Sequence, residues 1–193
     1  MANELHYGDR IHLQNLYQGD GGFLETNGTS SAPGGRLLVN TATTATRGGG
    51  TGTWEILSGS CQAVGSPVKS GDVVYLRNLA ENGTGGYLDI NGPASNTQKQ
   101  YGGLYDVITA WGKDRDENSS RWQIFDLTSN PGDGLVRFND TVQLWNTYHG
   151  RGGFLETNDV SSTTGAKYDV DTNAYLNRGN ANVTHWQIQR PQS

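Results

Sequence analysis

A carboxylate followed two residues later by an amide recurs at matching places of three segments of this sequence: Glu25 and Asn27, Asp89 and Asn91, Glu156 and Asn158. Planar hydrogen-bonding groups of this kind suit the hydroxyls of a sugar, above all beside an aromatic face. The outer two copies lie in one identical run, GGFLETN, at 21–27 and 152–158. On a strand Phe23, Glu25 and Asn27 share one side, while Leu24 and Thr26 take the other. Leu24 recurs as Leu88 and Leu155 and reads as core, which leaves the carboxylate–amide side free to meet a ligand. A turn role competes for the same six residues and is the simpler reading. Asn27 and Asn91 precede glycine, a turn signal, and a carboxylate there can accept hydrogen bonds from turn amides.

Three further groups could take part in binding. Trp145 stands where the matching segments carry Gln14 and Arg77, on the side that alternation marks as outward. An outward tryptophan can serve as a stacking platform or an interface anchor, or pack under a neighbouring loop. Tyr17 with Gln18, and Tyr148 with His149, occupy like turns, YQGDGG and YHGRGG, and could frame a ligand. Asp169 follows Tyr168, as Asp106 follows Tyr105. The first segment has Leu37-Leu38 at that place, so at most two such pockets are expected.

Catalysis finds little support. His6, His12, His149 and His185 are scattered, and no nucleophile elbow, phosphate loop or zinc-helix motif occurs. The recurring carboxylates come once per segment, too far apart under threefold symmetry for the roughly 5–10 Å that a glycosidase pair needs. The run DVDTN at 169–173 has the opening spacing of a calcium loop but lacks its glycine and distal glutamate. A non-catalytic protein with no metal and no cofactor is expected. Cys61 is the one cysteine, so the fold owes nothing to an internal disulfide. With a formal net charge of -5 and no basic run, nucleic acid is not an expected partner. No apolar stretch approaches membrane-spanning length, and the polar opening MANELHYGDR has no signal-peptide core. The expectation is a soluble chain, cytoplasmic or exported without a visible signal peptide. Pairing with a second copy is left open.

The elements that would position these groups come from an internal repeat. GDRIHLQNLYQGDGGFLETNG, GDVVYLRNLAENGTGGYLDING and NDTVQLWNTYHGRGGFLETND align, and each copy closes on a tryptophan strand, TWEIL, RWQIF or HWQIQ. Val39, Val107 and Val170 also correspond, each with a threonine two residues on. Each copy reads as four short strands. The first alternates, with Ile11 and Leu13 inward and Arg10, His12 and Gln14 outward. A Gly-Gly bend, an aromatic-Leu strand, a third strand near RLLVNT, LYDVIT or KYDVDT, and the tryptophan strand follow. Asn15, Asn78 and Asn146 end the first strands, where an amide can satisfy buried backbone groups. Asp9, Asp72 and Asp140 precede those strands and suggest turns. The second copy carries an insertion, PASNTQKQYGG, expected to be a loop.

This pattern resembles a β-trefoil, in the manner of fascin-like and MIR-type trefoils, whose units carry a GG-aromatic-Leu turn and a terminal tryptophan strand. It departs from ricin-type lectins, whose signature is Gln-x-Trp, so no sugar-binding residues are transferred from them. Over three residues, the His149 turn is similar to one in mussel-type trefoil lectins. The resemblance implies an all-β fold of three pseudo-symmetric four-stranded repeats, 12 strands in one domain over 1–193. The repeats run over about 5–60, 68–128 and 135–190. It implies a lectin-like carbohydrate-binding protein with shallow, repeat-related sites for glycans or glycoproteins. The alternative is a protein-interaction trefoil, fascin-like or inhibitor-like, that docks a partner through the repeat-2 insertion or WGKDRDENSS at 111–120.

Overall fold

A computed structural model describes residues 3–192. Twelve strands appear in three sets of four. They are β1 (Arg10–Asn15), β2 (Gly22–Thr29), β3 (Gly35–Ala42) and β4 (Trp54–Ser58); β5 (Val73–Asn78), β6 (Tyr87–Pro93), β7 (Gly103–Ala110) and β8 (Trp122–Asp126); and β9 (Thr141–Asn146), β10 (Gly153–Val160), β11 (Tyr168–Asn173) and β12 (Trp186–Gln189). The first and last strands of each repeat pair in a closed ring, β1–β4–β5–β8–β9–β12 and back to β1. The middle strands form hairpins, β2–β3, β6–β7 and β10–β11. These close a second ring, because β3, β7 and β11 pair with one another. The architecture is a β-trefoil: a six-stranded barrel capped by a hairpin triplet. Closure leaves the barrel without a free edge for another chain to extend.

Each repeat builds its part from the same residues. Trp54, Trp122 and Trp186 are fully buried, and each indole N–H donates to the carbonyl of Leu24, Leu88 or Leu155 at 2.9–3.0 Å. One side chain thus fills the core and pins the hairpin to the barrel, with its single polar atom satisfied. Ile56, Ile124 and Ile188 and the alternating Leu13, Leu76 and Leu144 complete the core. At Gly22, Gly86 and Gly153 the backbone takes φ of 89°, 89° and 94°, which a side chain would strain. The preceding Gly21, Gly85 and Gly152 have no room for a Cβ, which would fall 2.3–2.4 Å from the Oδ1 of Asn15, Asn78 or Asn146.

Those asparagines lock neighbouring repeats together. Asn15 donates to the Val183 carbonyl, Asn78 to Thr51 and Asn146 to Ser119, at 2.7–2.8 Å. Their Oδ1 atoms accept from the backbone N–H of Tyr17, Ala80 and Tyr148. Asp9, Asp72 and Asp140 close turns by accepting from the N–H three residues earlier. The threonines after the core valines also link repeats. Thr109 accepts from the Leu37 amide, Thr172 from Tyr105 and Thr41 from Tyr168, and this set of bonds closes on itself.

Two expectations change. The middle residues of the first strands, His12, Tyr75 and Gln143, are buried although alternation points them outward. Segments preceding the tryptophan strands roof them: His12 Nδ1 lies 2.8 Å from the Gly52 carbonyl, Tyr75 donates to Asp114, and Gln143 donates to the Thr184 hydroxyl. The repeat-2 insertion is not all loop. It carries a helical turn, Asn96–Lys99, begun by a reciprocal cap between Ser95 and Gln98.

Candidate functional site

The three recurring carboxylates lie on β2, β6 and β10, and all are fully buried. Each meets an arginine from the loop between the third and fourth strands of its repeat. Arg47 Nη2 lies 2.7 Å from Glu25 Oε1, Arg115 Nη2 lies 2.9 Å from Asp89 Oδ1, and Arg178 Nη2 lies 3.3 Å from Glu156 Oε1. Burial pushes all three carboxyls above their usual range, and the arginines oppose it. The Ser119 hydroxyl adds a bond to Asp89 at 2.8 Å. The ion pairs tie a long loop onto the hairpin triplet and turn the carboxylates away from solvent. The arginines carry a recurrence legible in the sequence: they precede Trp54, Trp122 and Trp186 by seven, seven and eight residues.

Their amide partners sit differently from one another. Asn27 is half-buried and donates to the Thr164 carbonyl at 3.0 Å. Asn91 is half-buried, with Arg115 Nη2 at 3.5 Å from its Oδ1. Asn158 is buried and donates to Asp171 at 3.0 Å and to the Gln98 carbonyl at 3.2 Å, which joins the insertion to repeat 3.

Repeat 3 adds a second carboxyl. Asp171 of β11 is the cross-strand partner of Glu156. Glu156 Oε2 and Asp171 Oδ1 are buried with no hydrogen-bond donor to serve them, and each carboxyl lies in the other's field. Two carboxylate acceptors so placed relieve each other only by holding a proton between them. Burial, and then the charge of Glu156, push Asp171 up to about 9, and Glu156 is raised beside it, so the pair shares one proton at neutral pH. Asn40 fills the equivalent place opposite Glu25 and Ile108 opposite Asp89.

The aromatic candidates converge across repeat boundaries. Tyr17, in the turn after β1, meets Tyr168 of β11 edge-on, with ring centroids 5.4 Å apart. Tyr148, after β9, meets Tyr105 of β7 in the same way at 5.7 Å. The two tyrosine groups that appear separate in the sequence are halves of the same sites. The Tyr17–Tyr168 junction opens on a cavity of about 320 Å³, lined also by Tyr101, Asn158, Asp159 and Arg178. The Tyr105–Tyr148 junction opens on one of about 180 Å³, lined also by Asn91, Arg115 and Asp116. Tyr148 donates to Asp116 at 3.0 Å, and that bond raises its hydroxyl pKa. At the third junction the tyrosine places hold Leu37 and Ala80, and the cavity of about 260 Å³ has no aromatic lining.

The remaining candidates take other places. Gln18 and His149 hold left-handed backbone, at φ 50° and 47°, and are not among the residues that line the cavities. Gln18 donates to the Tyr17 hydroxyl at 3.1 Å, and His149 stacks on Tyr148 with Glu117 3.1 Å from its Nδ1. Trp145 is half-buried against Phe154, with centroids 4.6 Å apart, and lines none of these cavities. Asp169 lies apart from the junctions, in a cavity on the pseudo-threefold axis.

No family model matches the sequence, and no curated protein matches it. The fold has clear counterparts among solved structures. The SDF2-like protein from Arabidopsis thaliana is 16% identical, with 96% of this chain and 94% of that chain covered, at a TM-score of 0.71. A Caenorhabditis elegans protein of unknown function is 14% identical, with 97% of each chain covered, at a TM-score of 0.71. The Saccharomyces cerevisiae protein O-mannosyltransferase Pmt1-Pmt2 complex, bound to the sugar donor, matches at 14% identity and a TM-score of 0.70, over 97% of this chain and 25% of that one. Fold and site together define a β-trefoil with three equivalent junctions, two of them aromatic. Among the described residues no helix is long and apolar enough to cross a membrane.

Proposed function

We propose that this chain binds carbohydrate without acting on it chemically, through the two aromatic junctions. The observation that carries the proposal is the recurrence of an edge-on tyrosine pair beside an asparagine and an arginine at the mouth of a small cavity, at two of three equivalent places. A tyrosine face takes the C–H side of a pyranose, and amide, guanidinium and carboxylate groups take its hydroxyls. The carboxyl pair Glu156–Asp171 is fully buried, so a substrate in the cavity does not reach it. Two sites on one rigid domain gain strength on a multivalent glycan surface through avidity.

A glycan array with the intact chain tests this. Saturable binding is expected, weakened by either Tyr168→Ala or Tyr105→Ala and lost when both are changed. Absence of any glycan signal, or binding that survives the double change, refutes it. One observation favours protein docking as a second reading. Trp111, in the repeat-2 loop, is 60% exposed with the Arg36 guanidinium 4.3 Å above its ring. A protein partner lost on Trp111→Ala, together with a blank array, would establish that reading instead.

A further inference from the structure

The hairpin triplet encloses a third kind of cavity, about 500 Å³, on the pseudo-threefold axis. Its floor is the equivalent valines Val39, Val107 and Val170, all buried. The residues just before them form the wall: Leu38, Asp106 and Asp169. Leu38 is 39% exposed, which is high for a leucine on a paired strand. No lysine, arginine or histidine is among the residues lining the cavity. The three recurring carboxylates of the hairpin triplet, Glu25, Asp89 and Glu156, each have an arginine. A separate observation points the same way. Asn40, 2% exposed and in register with Asp169, lines the cavity, and its Oδ1 has no hydrogen-bond partner. A buried acceptor without a donor costs free energy until a donor arrives.

We infer that this axial cavity binds an alkylammonium group. Its N–H donors would meet Asp106 and Asp169 and draw the buried Asn40 amide round to add its Oδ1, and its methylenes would lie against Leu38 and the three valines. An ammonium supplies three donors and no acceptor, the complement of a wall of acceptors. Its alkyl stem uses the apolar floor, as lysine stems do on protein surfaces. A lysine side chain of a protein and a free polyamine share this chemistry. The site is separate from the tyrosine junctions, so either reading can fail without the other.

The test is calorimetric titration of the intact chain at neutral pH and low salt with three probes: spermidine, Nα-acetyl-lysine N-methylamide and calcium chloride. Binding of either amine is expected, about tenfold weaker in D106N/D169N. Preference for the lysine amide identifies a protein lysine as the source, and preference for spermidine identifies a polyamine. Leu38→Asp, which completes the acidic triad on an exposed position, is expected to tighten amine binding. Wild-type circular dichroism and a cooperative thermal transition in both variants show that they are folded. No heat with either amine, equal affinity in the double variant with no gain in Leu38→Asp, or binding of calcium alone overturns the inference.

Discussion

Replacing Asp171 by asparagine tests the proton placed between β10 and β11. Asp171 is fully buried and holds its proton up to about pH 9, first through burial and then through the charge of Glu156. In the unfolded chain an aspartate titrates near ~3.9. Between those values the folded state carries a proton that the unfolded state has lost, so stability falls as pH rises. The slope is about 1.4 kcal/mol per pH unit for one such group. Asp106 and Asp140, each pushed up to about 6, have largely finished titrating by pH 7. Burial lowers His185, so it gives up its proton at a lower pH than an ordinary imidazole. From pH 7 to 8.5 the expected loss is therefore about 2 kcal/mol, or roughly 4–8 °C in Tm for a chain of this length. Asparagine keeps the geometry without the proton: its amide donates to Glu156 Oε2, and its oxygen accepts from Asn158. Asn40 already occupies the equivalent position in repeat 1. Calorimetric melting across this range should show a falling Tm for the wild type and a nearly level one for Asp171→Asn. Equal slopes would refute the shared proton.

Other outcomes follow from the same geometry. Installing tyrosines at the third junction, with Leu37→Tyr and Ala80→Tyr, should raise the number of glycan sites from two to three, counted by titration with a monovalent sugar. Arg115→Met should cost roughly 2–4 kcal/mol in urea unfolding, because it leaves Asp89 buried without its cation while Ser119 still donates. Trp122→Ala should cost about 3–5 kcal/mol by the same measurement, since it empties core volume and frees the Leu88 carbonyl. Alkylammonium binding at the axis should weaken as pH falls below about 6, where Asp106 gains its proton while Asp169 and Asn40 face the same ligand. Titrations at pH 7.5 and 5 compare the two states.

The fold was legible because each repeat announces itself through residues with one structural role. The Gly-Gly bends, Leu24 and its counterparts, and the tryptophan strands do the same task three times. The turn aspartates were legible for the same reason, and so was the turn-closing half of the strand-ending asparagines, since those bonds are set by local chain geometry. What the sequence concealed was contact between repeats. Alternation reports which way a side chain leaves its own strand, not whether a distant loop covers it, so His12, Tyr75 and Gln143 looked exposed. Glu25, Asp89 and Glu156 looked available for the same reason, although the three arginines that meet them recur in the sequence. Tyr17 and Tyr168 stand near opposite ends of the chain, and only ring closure brings them together.

That closure sets an order of assembly. The Tyr105–Tyr148 junction needs the first turn of repeat 3, and the Tyr17–Tyr168 junction needs its third strand to meet repeat 1. A ribosome that has released only the first two repeats has made neither aromatic junction, and the one junction internal to them, Leu37 with Ala80, has no tyrosines. On the proposed carbohydrate reading, recognition thus arises only once repeat 3 has emerged and closed the ring, and a chain in which repeat 3 is missing or mispaired is expected to fail to bind.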